Sequence, residues 1–355
     1  MRDTLHASGS RPEQAAKPPL HRAWALLNAT RSRFVCRARP QERILMATTV
    51  LPETTRALYP FKSHYFTLSD GIRMHYIDEG PGDGPPLIFF HGYPTWSFAY
   101  RALIVCYAAQ GYRCLAMDHV GYGLSDKPTS RRYHTLRRHI YNAIEFIQGL
   151  GLRDVTLIME DWGAAFALGY AIRHPENVRR LMIMNSWVFT HSSTFPMHPI
   201  VRLIATPGVG ELLFGILNLA FPLGLQRWTA RQLSPAVMMA YRAPFREARQ
   251  RAALVQFPRM ISTHPNHPST PLLREIEEGL SALRRTPTLL VWGAEDPIFP
   301  PPLARHWKSR LPLADGPHLI AGARHYLTED DPDALMQHLD TFLARTEASE
   351  GASAQ

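Results

Sequence analysis

The sequence predicts an α/β fold: a mostly parallel sheet covered by helices on both faces, with a helical segment inserted late. Three observations predict it. Short apolar runs rich in β-branched or aromatic residues alternate with longer helical patterns through the first half. Most of these runs end in turns that carry Gly, Asp or Asn. The strand signal then vanishes between about Phe189 and Leu283 and resumes at Thr288.

The elements follow in order. His64–Leu68 and Ile72–Asp78 read as a hairpin joined at Asp70-Gly71, a strong turn signal. Leu87–Phe90 is a continuous apolar strand of the kind buried on both faces. It runs into His91-Gly92-Tyr93-Pro94 and a helix from Arg101 to Ala109. Arg113–Met117 is the next strand, and Leu136–Leu150 the next helix. Val155–Ile158 is a strand that leads through Asp161 into an apolar helix stopping before Pro175. Arg180–Met184 is a strand that ends at Asn185-Ser186-Trp187. In the inserted segment the spacing predicts helices over Gly210–Leu217, Ala236–Tyr241 and Arg246–Val255. Phe214, Leu217, Phe221, Trp228, Met238, Met239 and Phe257 are expected on its inner side. Thr288–Trp292 and a strand near Leu319 complete the sheet, and a helix over Pro332–Leu343 closes the chain.

These elements predict a core domain over residues 55–188 and 284–346, a helical cap over 189–283, and a disordered tail over 347–355. Residues 1–50 read as a disordered basic leader. Nine Lys/Arg against three Asp/Glu in the first 45 residues supply most of the net charge of +9. The basic balance therefore belongs to the leader and gives no reason to expect nucleic acid as a partner. The leader is either a presequence or a stretch upstream of a start at Met46. Apolar runs are too short to span a membrane. Cys36, Cys106 and Cys114 have no metal or disulfide spacing, which fits a reducing, cytoplasmic setting.

Asp161 sits on a sharp strand-to-helix turn, the layout that lifts a nucleophile above the C-terminal edge of a parallel sheet. A plain helix cap is the alternative for an isolated Asp. Asp296 and His325 follow at two further predicted strand ends. The order nucleophile, acid, histidine is that of the α/β-hydrolase architecture. A carboxylate nucleophile suits displacement at an sp³ carbon, leaving an alkyl ester on the enzyme.

The motifs His91-Gly92-x-Pro94-Thr95-Trp96-Ser97-Phe98, Gly121-Tyr122-Gly123-Leu124-Ser125-Asp126-Lys127-Pro128, Asp161-Trp162-Gly163, Tyr241-Arg242-Ala243-Pro244-Phe245 and Phe257-Pro258-Arg259 resemble those of haloalkane dehalogenases. The epoxide hydrolases of the same architecture share His-Gly-x-Pro and Asp-Trp-Gly and stand as the alternative. The resemblance implies that Asp161 attacks the halogen-bearing carbon and that His325, oriented by Asp296, activates water. It implies an oxyanion hole from the backbone of Tyr93 and Trp162, a halide site at the Trp162 indole, and no cofactor or metal. The expected partners are a small apolar halogenated substrate and water.

The chain departs from the family at two places. Tyr93 stands where many of these dehalogenases have Asn as second halide donor, so its phenol is expected to donate to the halide or to narrow the slot. Glu160, often His in the family, is expected to put a charge beside Asp161. Trp187, Trp228 and Tyr241 are the expected cap-side walls of the pocket, Trp187 or Trp228 is the alternative second halide donor, and Tyr241 is the tyrosine an epoxide hydrolase would need.

Overall fold

The computed structural model describes residues 44–45, 50–190 and 198–353. Eight strands form one sheet: β1 (His64–Thr67), β2 (Arg73–Glu79), β3 (Pro86–Phe90), β4 (Arg113–Met117), β5 (Val155–Glu160), β6 (Val178–Met184), β7 (Thr288–Gly293) and β8 (Asp315–Ile320). Their order across the sheet is β8-β7-β6-β5-β3-β4-β2-β1. The β1–β2 and β2–β4 pairs are antiparallel and every other pair is parallel. The hairpin at Asp70-Gly71 forms as expected, with Gly71 at φ 84°, a backbone conformation that glycine adopts without a Cβ penalty.

The central strands explain why the apolar runs do not alternate. All six residues of β5 and of β7 are buried, because helices cover both faces. The helix Trp162–Ala171 is buried along its whole length, while Leu136–Gly149 is amphipathic and capped by the Thr135 hydroxyl, which accepts from the Arg138 amide. Each fully buried Leu, Ile or Phe in these layers contributes about 1.5–3 kcal/mol.

The chain between β6 and β7 is helical, with its longest pieces at Pro199–Ala205, Pro235–Arg242 and Thr270–Gly279. Two π-helical turns, Glu211–Ile216 and Ala220–Leu225, replace the expected regular helix. The helix expected over Arg246–Val255 is broken into Ala248–Gln250 and Ala252–Gln256, because Glu247 starts a new cap. Phe214, Phe221, Trp228 and Phe257 are buried as expected, and Met238 is partly buried against the core. Leu217 and Met239 are exposed, which corrects their placement on the inner side.

Two boundaries differ from the reading of the sequence. The expected tail is helical: Pro332–Ser353 is one helix. Its last turns are held by ion pairs of Glu350 with Arg179 and Arg180, and by a hydrogen bond from the Tyr112 hydroxyl to Glu347 at 2.9 Å. These partners are distant in sequence, so composition alone misreads the segment. The leader falls mostly outside the described residues. Within it, Ile44–Leu45 pair with Lys127–Pro128 in a two-residue antiparallel ladder. The domain itself begins before Tyr59, with Leu51 buried and a short helix at Glu53–Leu58.

Candidate active site

Asp161 follows β5 with φ 50° and ψ −124°, an uncommon conformation for a residue with a Cβ. The turn is tight enough to require glycine on either side of it in space. A Cβ at Gly163 would lie 2.1 Å from the Phe90 carbonyl oxygen, and one at Gly92 would lie 2.6 Å from the Asp161 Cβ. The elbow thus packs directly on the turn that follows β3.

The two carboxylate oxygens of Asp161 have different surroundings. Oδ1 accepts from the Tyr93 amide at 3.2 Å and from the Trp162 amide. Oδ2 faces His325, whose Nε2 is 3.5 Å away. The same Asp161 therefore caps the helix through the Trp162 amide and presents a second oxygen to the pocket. The cap that the sequence allows is present, and it leaves the second carboxylate oxygen at the cavity.

Asp296 and His325 are brought to the same place from β7 and β8. His325 Nδ1 is 3.0 Å from Asp296 Oδ2, and both side chains are fully buried. Asp296 Oδ1 accepts from the Ile298 and Phe299 amides at 2.8 and 3.1 Å, which orients the carboxylate. Burial opposes a charge on His325, but the Asp296 and Asp161 carboxylates outweigh it and hold the imidazole well above its ordinary value.

Asn185, at the end of β6, is a residue the sequence reading passed over because it is not a carboxylate. Its Nδ2 donates to the carbonyls of Arg324 and His325 at 2.8 and 2.7 Å, and its Oδ1 accepts from the Gly293 amide at 2.9 Å. Its own carbonyl accepts from the Asp161 amide at 3.2 Å. One residue thus ties together the loops that carry Asp161, Asp296 and His325. Its φ of 31° is tolerated by Asn better than by most residues, which is the only local signal for it. Tyr326 was also missed; its hydroxyl donates to the Tyr93 carbonyl at 3.0 Å and steadies the oxyanion turn.

A cavity of about 470 Å³ opens above Asp161. Its apolar wall includes Trp162, Trp187, Phe189, Trp228, Ile261 and Phe299. The Trp162 and Trp187 rings meet edge to face at 4.7 Å, and Trp228 lies edge-on to His325 at 6.2 Å. Trp162 Nε1 has no hydrogen-bond partner among the described residues, so this donor remains available at the cavity wall.

Three expectations are corrected here. The Tyr93 hydroxyl donates to the Leu254 carbonyl at 3.0 Å, so it is not a free donor for a halide, although the residue does line the cavity. Tyr241 does not line the cavity, because its hydroxyl is bonded to Glu329, which also pairs with Arg101. Glu160 is buried, and burial pushes it up to about 8. Its neutral form is favoured, which weakens the charge expected beside Asp161. Among the described residues, no three His, Cys, Asp or Glu side chains are grouped to hold a metal. No helix of the described residues is long and apolar enough to cross a membrane.

An aspartate on a strained elbow held by two backbone amides, with an Asp–His pair at the next strand ends, matches the α/β-hydrolase architecture. The family model described as the α/β-hydrolase fold matches residues 85–332. A haloalkane dehalogenase of Mycolicibacterium paratuberculosis is 34% identical over 79% of this chain and 92% of its own. The cis-3-alkyl-4-alkyloxetan-2-one decarboxylase of Shewanella oneidensis is 32% identical over 82% of this chain and 91% of its own. The crystal structure of haloalkane dehalogenase DbeA from Bradyrhizobium elkani superposes with a TM-score of 0.73 at 29% identity, covering 81% of this chain and 99% of that one. The chain belongs to the α/β-hydrolase fold family, in the branch that holds the haloalkane dehalogenases.

Proposed function

We propose that this protein hydrolyses carbon–halogen bonds of haloalkanes to an alcohol and halide. The observation that carries the reading is the division of labour at Asp161: Oδ1 is held by two amides, while Oδ2 has no backbone donor among the described residues, only His325 Nε2 at 3.5 Å, beside an apolar cavity that the Trp162 indole lines. In the first step Oδ2 bonds to the substrate carbon, and the carbon–halogen electron pair leaves with the halide, which the indole N–H receives. In the second, water bonds to Asp161 Cγ and gives its proton to His325, and negative charge develops on Oδ1, facing the Tyr93 and Trp162 amides. Collapse of the oxyanion then breaks Cγ–Oδ2, the proton held by His325 passes to the departing oxygen to give the alcohol, and the Asp161 carboxyl loses its remaining proton to water.

The electrostatics support this sequence. Ester formation removes the Asp161 charge, and with it one of the two anions that favour protonated His325. The histidine becomes a base at the stage that needs one. The substrate is an apolar halide, and the compartment is the cytoplasm, where Cys106 and Cys114 remain thiols.

A second reading rests on the cavity and on one relative. A volume of about 470 Å³ suits a ligand larger than a two-carbon halide. The Shewanella relative is named for a dialkyl β-lactone substrate, and with Tyr93 committed a second halide donor would have to come from Trp187 or Trp228. The epoxide reading has lost its tyrosine to Glu329. The deciding experiment measures halide release from 1,2-dibromoethane, 1-iodobutane and a longer 1-iodoalkane, beside hydrolysis of styrene oxide and decarboxylation of a cis-dialkyl β-lactone. Halide release with an alkyl ester on Asp161 is expected; turnover of the lactone alone overturns the first reading in favour of the second.

A further inference from the structure

We propose that Asp330 is a positioning residue for the hydrolytic half of the reaction: it ties the cap segment Trp228–Arg231 to the loop that carries His325, so that cap docking and base alignment are set together. The proposal rests on the reading of His325 as the base.

Asp330 lies in the short helix Leu327–Asp330 and is buried, 2% exposed. Its two oxygens face opposite ways. Oδ1 accepts from the cap amides of Ala230 at 2.6 Å and Arg231 at 3.5 Å, and Oδ2 accepts from the Arg324 amide at 2.7 Å. Next to it, the His325 amide donates to the Trp228 carbonyl at 3.0 Å. These bonds close a ring: the cap strip from Trp228 to Arg231 and the loop Arg324–His325 are held to each other directly and again through one carboxylate. The preceding residue adds a second tie, since Glu329 joins Tyr241 of the cap to Arg101 of the core.

A buried carboxylate is costly unless its lone pairs are satisfied. Here backbone N–H groups on both sides satisfy them, and only a group that accepts at both ends does so. Asparagine offers one acceptor and turns its NH₂ toward an N–H donor at the other end. Among the described residues Asp330 makes no hydrogen bond to Asp161 or Trp162, and it does not line the cavity. Alkylation relies on those groups and hydrolysis relies on the placement of His325, so losing Asp330 affects the two halves unequally.

The test uses the full chain as wild type, Asp330→Ala and Asp330→Asn, with 1-iodobutane as probe. Rapid-mixing halide release reads alkylation, and intact mass at steady state reads the fraction of alkyl-enzyme. In both variants the halide burst should stay within about threefold of wild type, while hydrolysis slows by about tenfold or more and the ester accumulates. Hydrogen exchange of peptides covering 228–231 and 324–330 should accelerate together, with the peptide containing Asp161 unchanged. Equal loss in both half-reactions, no change in either, or loosening of only one of the two segments overturns the proposal. If Asp330→Ala fails to fold, Asp330→Asn, which keeps one acceptor, carries the same readings. If the wild type releases no halide from any haloalkane, the proposed function fails, whereas the paired exchange of the two segments still decides whether the tie exists.

Discussion

The Tyr93 hydroxyl donates to the Leu254 carbonyl at 3.0 Å, joining the turn after β3 to the cap helix Ala252–Gln256. The ring borders the cavity while its polar end is used elsewhere. Tyr93→Phe should therefore cost about 0.5–1.5 kcal/mol of stability, as loss of one neutral hydrogen bond does, and change halide release by less than about tenfold. Thermal melting and steady-state halide release check both. A drop of a hundredfold would mean that the phenol turns to the halide during turnover.

Removing the base should separate the two chemical steps. His325→Phe is expected to release one equivalent of halide and stop, with the alkyl group trapped on Asp161. Peptide mass mapping reads the position of the adduct. Normal turnover, or an adduct on another carboxylate, contradicts the assigned roles.

Glu160 should make stability pH-dependent in a defined window. Burial raises it from 4.5 to about 8, so its neutral form is favoured by the fold. A group raised in this way stabilises fully below its unfolded value, and that contribution is lost as pH rises from about 4.5 to about 8. The loss is on the order of 5 kcal/mol if the shift is carried by folding alone. Glu160→Gln, which stays neutral, should gain stability relative to wild type between pH 5 and pH 8 in urea titrations. Parallel curves for the two proteins would show that Glu160 titrates like an exposed acid.

The C-terminal helix should be needed for stability although its last turns face solvent. Arg180 has a fully buried side chain, and Glu350 is its partner at 3.0 Å. Ending the chain at Thr346 removes Glu347 and Glu350 and leaves that guanidinium unpaired. Losing the partner of a buried charge costs about 3–5 kcal/mol, and the partial exposure of Glu350 reduces this to about 2 kcal/mol. Restoration of stability by the further change Arg180→Met would identify the buried charge as the cause. No change in melting temperature on truncation would return the segment to the status of a tail.

Much of this site was legible in the residue order. Strand-forming runs without alternation imply a sheet buried on both faces, and turn chemistry at their ends puts Asp161, Asp296 and His325 on one edge. Those signals are local, and the parallel topology converts them into proximity. The resemblance of the motifs implies a carboxylate nucleophile and an amide pair for its oxyanion, and the structure places Asp161 3.2 Å from the Tyr93 amide and 3.5 Å from His325, with His325 3.0 Å from Asp296. What the tertiary structure alone decided are the choices between competing partners. Whether the Tyr93 hydroxyl serves a halide or the Leu254 carbonyl, whether Tyr241 faces the cavity or Glu329, and whether Asn185 is idle or holds three loops depend on groups tens to more than a hundred residues away. The charge of Glu160 and the fate of residues 347–353 belong to the same class. Neither follows from composition, because one is set by dehydration inside the packed core and the other by two arginines that the fold carries to the end of the chain.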